Sequence, residues 1–311
     1  MPSVQLGTSD LRVRPLCFGG NVFGWTADRD TSFEILDGFV EGGGDFIDTA
    51  DQYSVWVDGN GGGESETIIG EWLADRRPEG LTVATKVGKH PDSAGLAPDT
   101  VVSACEGSLR RLGVEAIDLY YAHEDDPSVA MEESVRAFGA LQAAGKIRHV
   151  GLSNFAPERL RAWVEAADAL SLPRPVVLQP HYNLVERSAE QELLPAARDA
   201  GMSTVPYYSL ASGFLTGKYR TPADLETGAR GPRAGAYATD AGWRVVEALV
   251  DIAEARAVEP ATVALAWLRT REGVAAPIAS ASRPAQLPAL LASIGFELAA
   301  ADVERLTIAG A

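Results

Sequence analysis

Residues 42–53 read GGGDFIDTADQY. The glycine cluster closes a preceding helical segment, and residues 45–47 have the apolar character of a short buried strand. Asp48 and Tyr53 follow where that strand should end. Active sites of barrels built from parallel strands lie just beyond the carboxyl ends of those strands. On this stretch alone, a catalytic role for the two residues stands beside ordinary roles in a turn and in packing.

The same alternation of short apolar strand and helix continues along the chain. Strands are predicted at residues 15–18, 45–47, 82–85, 117–122, 147–151, 176–178, 203–206 and 275–278. Helices are predicted at residues 31–41, 64–75, 99–112, 128–144, 157–170, 188–200, 243–257, 260–270, 284–293 and 301–306. Strands rich in Val, Ile, Leu and Ala that alternate with helices are typical of a parallel sheet covered on both faces.

We predict an α/β fold, a (β/α)8 TIM barrel with an N-terminal β-hairpin and extra C-terminal helices, in a single domain over residues 1–311. The hairpin turns at GTSD (7–10) and would act as a lid or plug. A doubly wound open sheet is the alternative. It is disfavoured because GGNVFG (19–24), after the first strand, does not open a helix as the phosphate-binding turn of that fold does. Residues 209–241 lack clear periodicity and are predicted to form a long functional or mobile loop.

Composition limits which partners, which cellular location and which cysteine chemistry we expect. A net charge of −16 opposes binding to nucleic acid, because the average surface repels phosphate backbones. No apolar run approaches the roughly 20 residues of a membrane helix, and the N-terminus lacks a secretory signal, so the protein is expected in the cytoplasm. Cys17 and Cys105 are too few for a disulfide framework, and we expect both to be reduced.

Four ionisable side chains fall at one end of the predicted barrel. Lys86 follows the strand at 82–85 and His123 follows the strand at 117–122, which adds them to Asp48 and Tyr53. A lysine beside a tyrosine favours the phenolate. Two unit charges about 4 Å apart interact by roughly 4 kcal/mol at an effective dielectric of 20, which lowers the tyrosine pKa by at most about three units. Asp48 would orient Lys86 and His123 would share a carbonyl oxygen with Tyr53, so the group predicts acid catalysis at a carbonyl.

This chemistry needs a hydride donor. The four histidines lack metal-ligand spacing, and no serine lies in a Gly-x-Ser-x-Gly elbow, so neither a metal site nor a nucleophile is predicted. A nicotinamide cofactor would supply the hydride. A metal-dependent barrel hydrolase, recognised by sensitivity to chelators, is kept as an alternative.

The chain resembles the aldo-keto reductase family over nearly its whole length. The matching blocks are GGGDFIDTADQY, ATKVG (84–88), LRRLGVEAIDLYYAHEDDP (109–127), GKIRHVGLSNF (145–155), LQPHYNLVER (178–187) and YYSLASGFLTGKY (207–219). The resemblance implies a barrel reductase that uses NADPH. It also implies that Asp48, Tyr53, Lys86 and His123 form the catalytic tetrad.

The resemblance further implies where the cofactor binds. Ser153, Asn154 and Gln179 would hold the nicotinamide carboxamide, and Tyr207 would stack on the nicotinamide ring. The other implied contacts, which extend to the pyrophosphate and adenosine ends, are Gly20, Asn21, Gly213, Leu215, Gly217, Lys218, Arg283 and Gln286.

The adenosine end departs from the family pattern. Ser282 stands where NADP-using relatives often have a lysine, and Leu290 stands where they often have an asparagine. Arg283 and Gln286 are left to contact the 2′-phosphate and the ribose, and one arginine can make a charge-assisted bond to phosphate. We therefore predict NADPH as the cofactor, with use of both cofactors or of NADH as the alternatives.

Aromatic residues in the first two strand–helix loops indicate a small-molecule pocket. Phe23, Trp25 and Trp56 are predicted to bind the substrate. The predicted reaction reduces an aldehyde or ketone to an alcohol, with hydride from the nicotinamide and a proton from Tyr53. The alternative is a cofactor-sensing regulatory or channel-accessory protein on the same fold with slow turnover. Neither the natural carbonyl compound nor the oligomeric state follows from the sequence.

Overall fold

Eight parallel strands form the centre of the molecule in a computed structural model that describes residues 2–226 and 231–310. They are β3 (Cys17–Gly19), β4 (Phe46–Asp48), β5 (Thr82–Val87), β6 (Ile117–Ala122), β7 (Ile147–Ser153), β8 (Val177–Gln179), β9 (Ser203–Thr204) and β10 (Ile278–Ala279). From β3 to β9 each strand pairs with the next along the chain, and β10 pairs with β3. The sheet therefore runs in sequence order around the molecule.

Backbone hydrogen bonds complete the ring between β9 and the segment that leads into β10. The amide of Thr204 donates to the carbonyl of Gly273 at 2.8 Å, and the amides of Ala275 and Ile278 donate to the carbonyls of Thr204 and Pro206, each at 2.9 Å. An open doubly wound sheet would leave these strand edges unpaired. The predicted (β/α)8 barrel is confirmed.

Helices surround the sheet. They are α1 (Arg29–Glu41), α2 (Glu64–Arg76), α3 (Pro98–Leu112), α4 (Met131–Ala143), α5 (Pro157–Ala169), α6 (Leu193–Asp199), α7 (Gly231–Gly235), α8 (Asp240–Arg256), α9 (Pro260–Arg269), α10 (Leu287–Ala292) and α11 (Ala300–Ala309). Short 3-10 helices lie at Pro91–Ser93, Ser188–Glu190, Ala211–Thr216, Pro222–Glu226 and Pro284–Gln286. No helix in the described part of the chain is both long and apolar enough to cross a membrane.

The N-terminal hairpin closes one end of the barrel. Its strands, β1 (Val4–Gln5) and β2 (Arg12–Val13), pair antiparallel. Leu6 and Val13 are fully buried and join the apolar cluster inside the barrel, which includes Cys17, Phe46 and Val177. The predicted hairpin is therefore present, and its apolar side chains plug the barrel.

The three glycines at residues 42–44 let α1 turn into β4 without steric conflict. Gly43 has φ of +90°, a conformation that glycine adopts far more readily than other residues. A Cβ atom on Gly44 would lie 2.3 Å from the Phe39 ring. The end of α1 can therefore pack directly on the start of β4.

Several predicted boundaries were wrong. Helix α1 begins at Arg29, two residues before the predicted start at residue 31, because the Asp28 carboxylate accepts the amide hydrogen of Thr31 and caps the helix there. The predicted helix over 188–200 divides into a 3-10 turn and α6. Strand β10 begins at Ile278, because residues 273–275 pair only through the ring-closing hydrogen bonds near Thr204. Residues 211–216, 222–226 and 231–235 of the predicted loop form short helices, whereas 227–230 lie outside the described residues.

Candidate active site

The strands bring the four predicted catalytic residues together at one end of the barrel. Asp48 is the last residue of β4 and His123 directly follows β6. Lys86 lies inside β5 rather than beyond it, because that strand continues to Val87, and its backbone pairs with Tyr121 of β6. Tyr53 follows Asp48 by one tight turn, in which the Tyr53 amide donates to the carbonyl of Ala50.

The Lys86 ammonium group is the centre of this cluster. It is fully buried and donates to the Asp48 carboxylate at 2.6 Å, to the Thr49 carbonyl at 2.7 Å and to the Tyr53 hydroxyl at 2.8 Å. These three bonds use all three of its hydrogens. The second oxygen of Asp48 accepts from the Gln179 amide at 2.8 Å. Lys86 and Asp48 are therefore fixed from several sides.

The Tyr53 hydroxyl accepts a hydrogen bond and keeps its own hydrogen available. Its oxygen accepts from Lys86, and the only acceptor recorded for its hydrogen among the described residues is Asp48 Oδ2 at 3.4 Å. A bond of that length is weak. A carbonyl oxygen in the adjacent cleft could therefore compete for this hydrogen.

The prediction that Lys86 lowers the tyrosine pKa was wrong. Burial, followed by the charge of Asp48, holds the pKa of Tyr53 well above its ordinary value of 10. Asp48 lies 2.6 Å from the same ammonium group and carries the opposite charge, so it opposes the effect of Lys86 on the phenol. Tyr53 is therefore a neutral phenol at neutral pH, which is the form that a proton donor must have.

His123 is uncharged in the same environment. Burial, together with the positive charges of Lys86 and Lys89, holds its pKa well below the ordinary value of 6.5. Its backbone amide donates to the Val87 carbonyl at 2.9 Å, which fixes the residue at the end of β6. Within the described structure, no hydrogen-bond partner is found for its Nδ1 atom. The ring faces Tyr53, with 6.2 Å between the ring centroids.

A connected set of polar side chains lies beside the tetrad. Ser153 donates to the Gln179 carbonyl at 2.9 Å, and the Asn154 amide donates to the His123 carbonyl at 2.8 Å. The Tyr207 hydroxyl donates to the Asn154 side-chain oxygen at 2.8 Å. One face of the Tyr207 ring stacks on His181, so only the opposite face can receive another flat ring. Ser153, Asn154, Gln179 and Tyr207 are the four residues that were predicted to contact the nicotinamide.

A cleft of about 720 Å³ connects these groups, which is large enough for a cofactor together with part of a substrate. The predicted site residues that line it are Asn21, Trp25, Asp48, Tyr53, Trp56, His123, Ser153, Asn154, Gln179, Tyr207, Gly213, Lys218 and Gln286. Lys86 lies beneath the cleft floor and acts on it only through Asp48 and Tyr53.

Besides Lys86, five predicted site residues do not line the cleft. Phe23 is fully buried and stacks on Phe18, so the expected role in substrate binding does not match its position. Leu215 is also in the core, because the 3-10 helix at 211–216 turns its side chain inward. The other three are Gly20, Gly217 and Arg283.

The adenosine end of the cleft differs from the expected arrangement. The Gln286 side chain accepts from the amides of Ser282 and Arg283, at 2.8 and 3.2 Å, and so caps its own 3-10 turn. Arg283 is exposed beside the cleft, whereas the acidic Glu259 lines it. Any contact between Arg283 and a bound phosphate would therefore require its side chain to turn toward the cleft.

The prediction missed several lining residues. Those with polar or aromatic side chains are Gln52, Lys89, Tyr208, Ser209, Ser212, Thr216, Arg233, Glu259 and Ser280. Gln52 and Lys89 are close in sequence to tetrad members, and that proximity was the available signal. Arg233 comes from α7, whose five residues carry no periodic pattern to reveal their position.

Metal ligands are not grouped in the described residues. Across 2–226 and 231–310, no set of three or more His, Cys, Asp or Glu side chains is arranged to hold a metal ion. Cys17 and Cys105 are both free and buried.

Comparison with known proteins agrees with this geometry. The model of the "Aldo/keto reductase family" matches residues 15–311. An uncharacterized oxidoreductase, YrpG of Bacillus subtilis, is 35% identical over 289 residues, which cover 89% of this chain and 86% of that protein. Norsolorinic acid reductase stcV of Emericella nidulans is 31% identical, with 94% of this chain and 77% of that protein covered.

One further relative is named as a channel subunit rather than as an oxidoreductase. A probable voltage-gated potassium channel subunit beta of Oryza sativa subsp. japonica is 32% identical to this chain, of which the match covers 91%, together with 88% of that protein. With a family model that spans almost all of the sequence and relatives of this identity, the chain belongs to the aldo/keto reductase family.

Proposed function

We propose that this protein is an NADPH-dependent oxidoreductase that reduces an aldehyde or ketone to an alcohol, with Tyr53 as the proton donor. The hydrogen bond from Lys86 to the Tyr53 hydroxyl, inside a cleft that also contains His123, is the observation that carries the proposal. Family membership supports carbonyl reduction in general. We also propose that residues 1–311 act as one domain, since the family match extends over most of them.

The proton transfer depends on how the charge of Tyr53 differs before and after the reaction. Tyr53 begins as a neutral phenol, because burial and Asp48 disfavour its charge. When it gives its proton to the oxygen of the reduced carbonyl, the phenolate that forms lies 2.8 Å from the Lys86 ammonium group. Lys86 therefore stabilises the charge that develops during the reaction more than the neutral starting state.

His123 is assigned to orientation of the carbonyl. A neutral imidazole can donate one hydrogen bond, and low polarity in its surroundings strengthens that bond. The ring lies against Tyr53 and lines the same cleft, so both residues can reach one carbonyl oxygen. In this assignment His123 shares the oxygen with Tyr53 and does not transfer a proton.

A nicotinamide cofactor is compatible with the residues present. Ser153, Asn154 and Gln179 offer hydroxyl and amide groups of the kind that can hold a carboxamide, and Tyr207 presents one uncovered aromatic face. Gly213 has φ of +93° and lies beside Lys218 in a loop of left-handed residues, so backbone amides and one cation are available for a pyrophosphate. When bound, the cofactor would supply the hydride. Trp25 and Trp56 would contact the substrate.

Cofactor preference can be tested at the adenosine end. Changing Arg283 to Gln should weaken NADPH binding about tenfold or more, because a charge-assisted bond to phosphate contributes roughly 1.5–3 kcal/mol, and should leave NADH binding unchanged. The measurement is a fluorescence titration of the pure protein with each cofactor.

The matched control for this test is Arg161→Gln, which removes an exposed charge from α5, a helix that contributes no residue to the cleft lining. Equal affinity of the unaltered protein for NADPH and NADH would contradict the role given to Arg283 and favour the NADH alternative.

The channel-subunit relative supports a second candidate function, a cofactor-binding regulatory protein with slow turnover. The two candidates differ in rate rather than in cofactor binding. Rapid oxidation of NADPH driven by members of a panel of aldehydes and ketones would exclude the regulatory candidate. Tight cofactor binding without such oxidation would favour it.

A further inference from the structure

Asp51, two residues before Tyr53, is a buried carboxyl group with no adequate partner. Its side chain is 2% exposed, and neither carboxylate oxygen has a hydrogen bond of good geometry in the described structure. The Gln52 amide is the only backbone donor near enough to favour its charge. Buried carboxylates in this condition are costly, so the position calls for an explanation.

The groups around Asp51 come from four elements. Glu66 of α2 is fully buried, accepts from Thr85 of β5 and forms a salt bridge with Arg111 of α3 at 2.6 Å. Lys86 of β5 is near enough to interact with Asp51 but is already paired with Asp48. On β6, the buried Tyr120 hydroxyl also lacks a hydrogen-bond partner in the described residues.

Counting charges in this region leaves one negative charge unbalanced. Arg111 neutralises Glu66, and Lys86 neutralises Asp48. An ionised Asp51 would then be a second buried carboxylate beside Glu66 with no cation of its own. A proton on Asp51 removes the excess charge.

The turn that carries Tyr53 is attached to this region. The Asp51 amide donates to the Lys86 carbonyl at 3.2 Å on one side of the turn. On the other side, Ser54 has a left-handed φ of 73° and its hydroxyl donates to the Phe23 carbonyl at 2.6 Å. Tyr53 lies between these two attachments, so a change of charge at Asp51 acts directly on the turn.

We propose that the buried Asp51 carboxyl group keeps its proton in the folded protein, and that this proton positions the turn that carries Tyr53. Asp51 is thus a positioning residue that does not touch the substrate. Its effect on turnover rests on the function proposed above, whereas its effect on the turn does not.

The pKa of Asp51 determines the pH range in which the proton is lost and whether that loss stabilises or destabilises the fold. Burial, followed by the charge of Glu66, raises the pKa of Asp51 from 3.8 to about 7. Because the folded protein holds a proton that the unfolded chain has already released, stability is greatest below the unfolded pKa and falls as pH rises through the folded pKa. The turn should therefore be best held below about pH 7.

Hydrogen exchange of the turn tests this directly. Backbone bonds in the turn include those from the amides of Asp51, Tyr53 and Val55. We expect their protection to fall severalfold from about pH 6 to about pH 8.5 in the unaltered protein, and to stay nearly constant in Asp51→Asn, which cannot ionise. The control Asp58→Asn makes the same change at an exposed residue of the same loop and should behave like the unaltered protein. Comparison at each pH removes the intrinsic pH dependence of exchange.

Glu66→Gln provides a second test that does not depend on the folding of Asp51→Asn. Removing the neighbouring negative charge should move the midpoint of the protection change to lower pH, since Glu66 raises the pKa of Asp51. We also expect kcat to fall as the pH rises through the same range, with a midpoint that moves in the same direction in Glu66→Gln and with no such fall in Asp51→Asn. Identical protection profiles in the unaltered protein and Asp51→Asn, or an unmoved midpoint in Glu66→Gln, would overturn the proposal. Because exchange is measured without substrate, a protein that failed to reduce any carbonyl would contradict the proposed function alone.

Discussion

Replacing Tyr53 with Phe is expected to lower kcat for carbonyl reduction by about 10²–10⁴-fold, the usual contribution of a positioned general acid. The ring remains in place, so the contacts with Trp56 and the nearby cation are kept, and only the hydroxyl that accepts from Lys86 is lost. Cofactor binding should be unchanged, because the cofactor is assigned to other residues. Steady-state kinetics and a fluorescence titration with NADPH check the two parts separately.

The control is Tyr182→Phe, which removes a hydroxyl bonded to Glu190 at 2.6 Å from a buried tyrosine that does not line the cleft. It should leave kcat within the error of measurement. Near-normal turnover by Tyr53→Phe would rule out the tyrosine as the proton donor, whatever the control does.

Replacing Lys86 with Met should weaken the fold as well as abolish turnover. The change leaves Asp48 as an uncompensated charge that is only 2% exposed, and breaking a buried ion pair on one side typically costs about 3–5 kcal/mol. It also removes the cation that would stabilise a Tyr53 phenolate. Unfolding in urea, followed by circular dichroism, gives the change in free energy.

The double variant Lys86→Met with Asp48→Asn separates the two effects. Because it removes both charges, it should recover much of the lost stability while its activity stays low. If the single Met variant unfolds at the same urea concentration as the unaltered protein, the ion pair is not the structural centre described above.

Sequence periodicity was sufficient to predict the ends of a strand where the polarity of the sequence changes clearly at both ends. Strand β6 has its predicted boundaries, residues 117–122. Strand β5 was predicted too short, since its last two residues include a charged lysine that reads as a strand end until the partner carboxylate is known. The barrel itself needed only the order of the elements, which the alternation supplied.

The four residues of the tetrad could be predicted from the sequence, but their electrostatics could not. These residues follow successive strands, and strand order alone predicts that they meet. The raised pKa of Tyr53 depends instead on burial of the phenol and then on the nearby charge of Asp48, neither of which any spacing in the sequence encodes.

Burial of single side chains was the least predictable feature. Phe23 and Trp25 are two residues apart in one loop, yet the first joins the core and the second lines the cleft. Asp51 resembles an ordinary polar loop residue in the sequence, and its burial without a hydrogen-bond partner in the described structure is what distinguishes it. Both cases depend on packing between segments far apart in the chain.

The most direct test of the proposed function follows NADPH oxidation and alcohol formation together, with the pure protein and a panel of aldehydes and ketones. The account predicts that reactive members of the panel yield one alcohol for each NADPH consumed, over many turnovers, and that Tyr53→Phe yields almost none. Tight NADPH binding with no alcohol formed from any carbonyl, or equal yields from the two proteins, would contradict it.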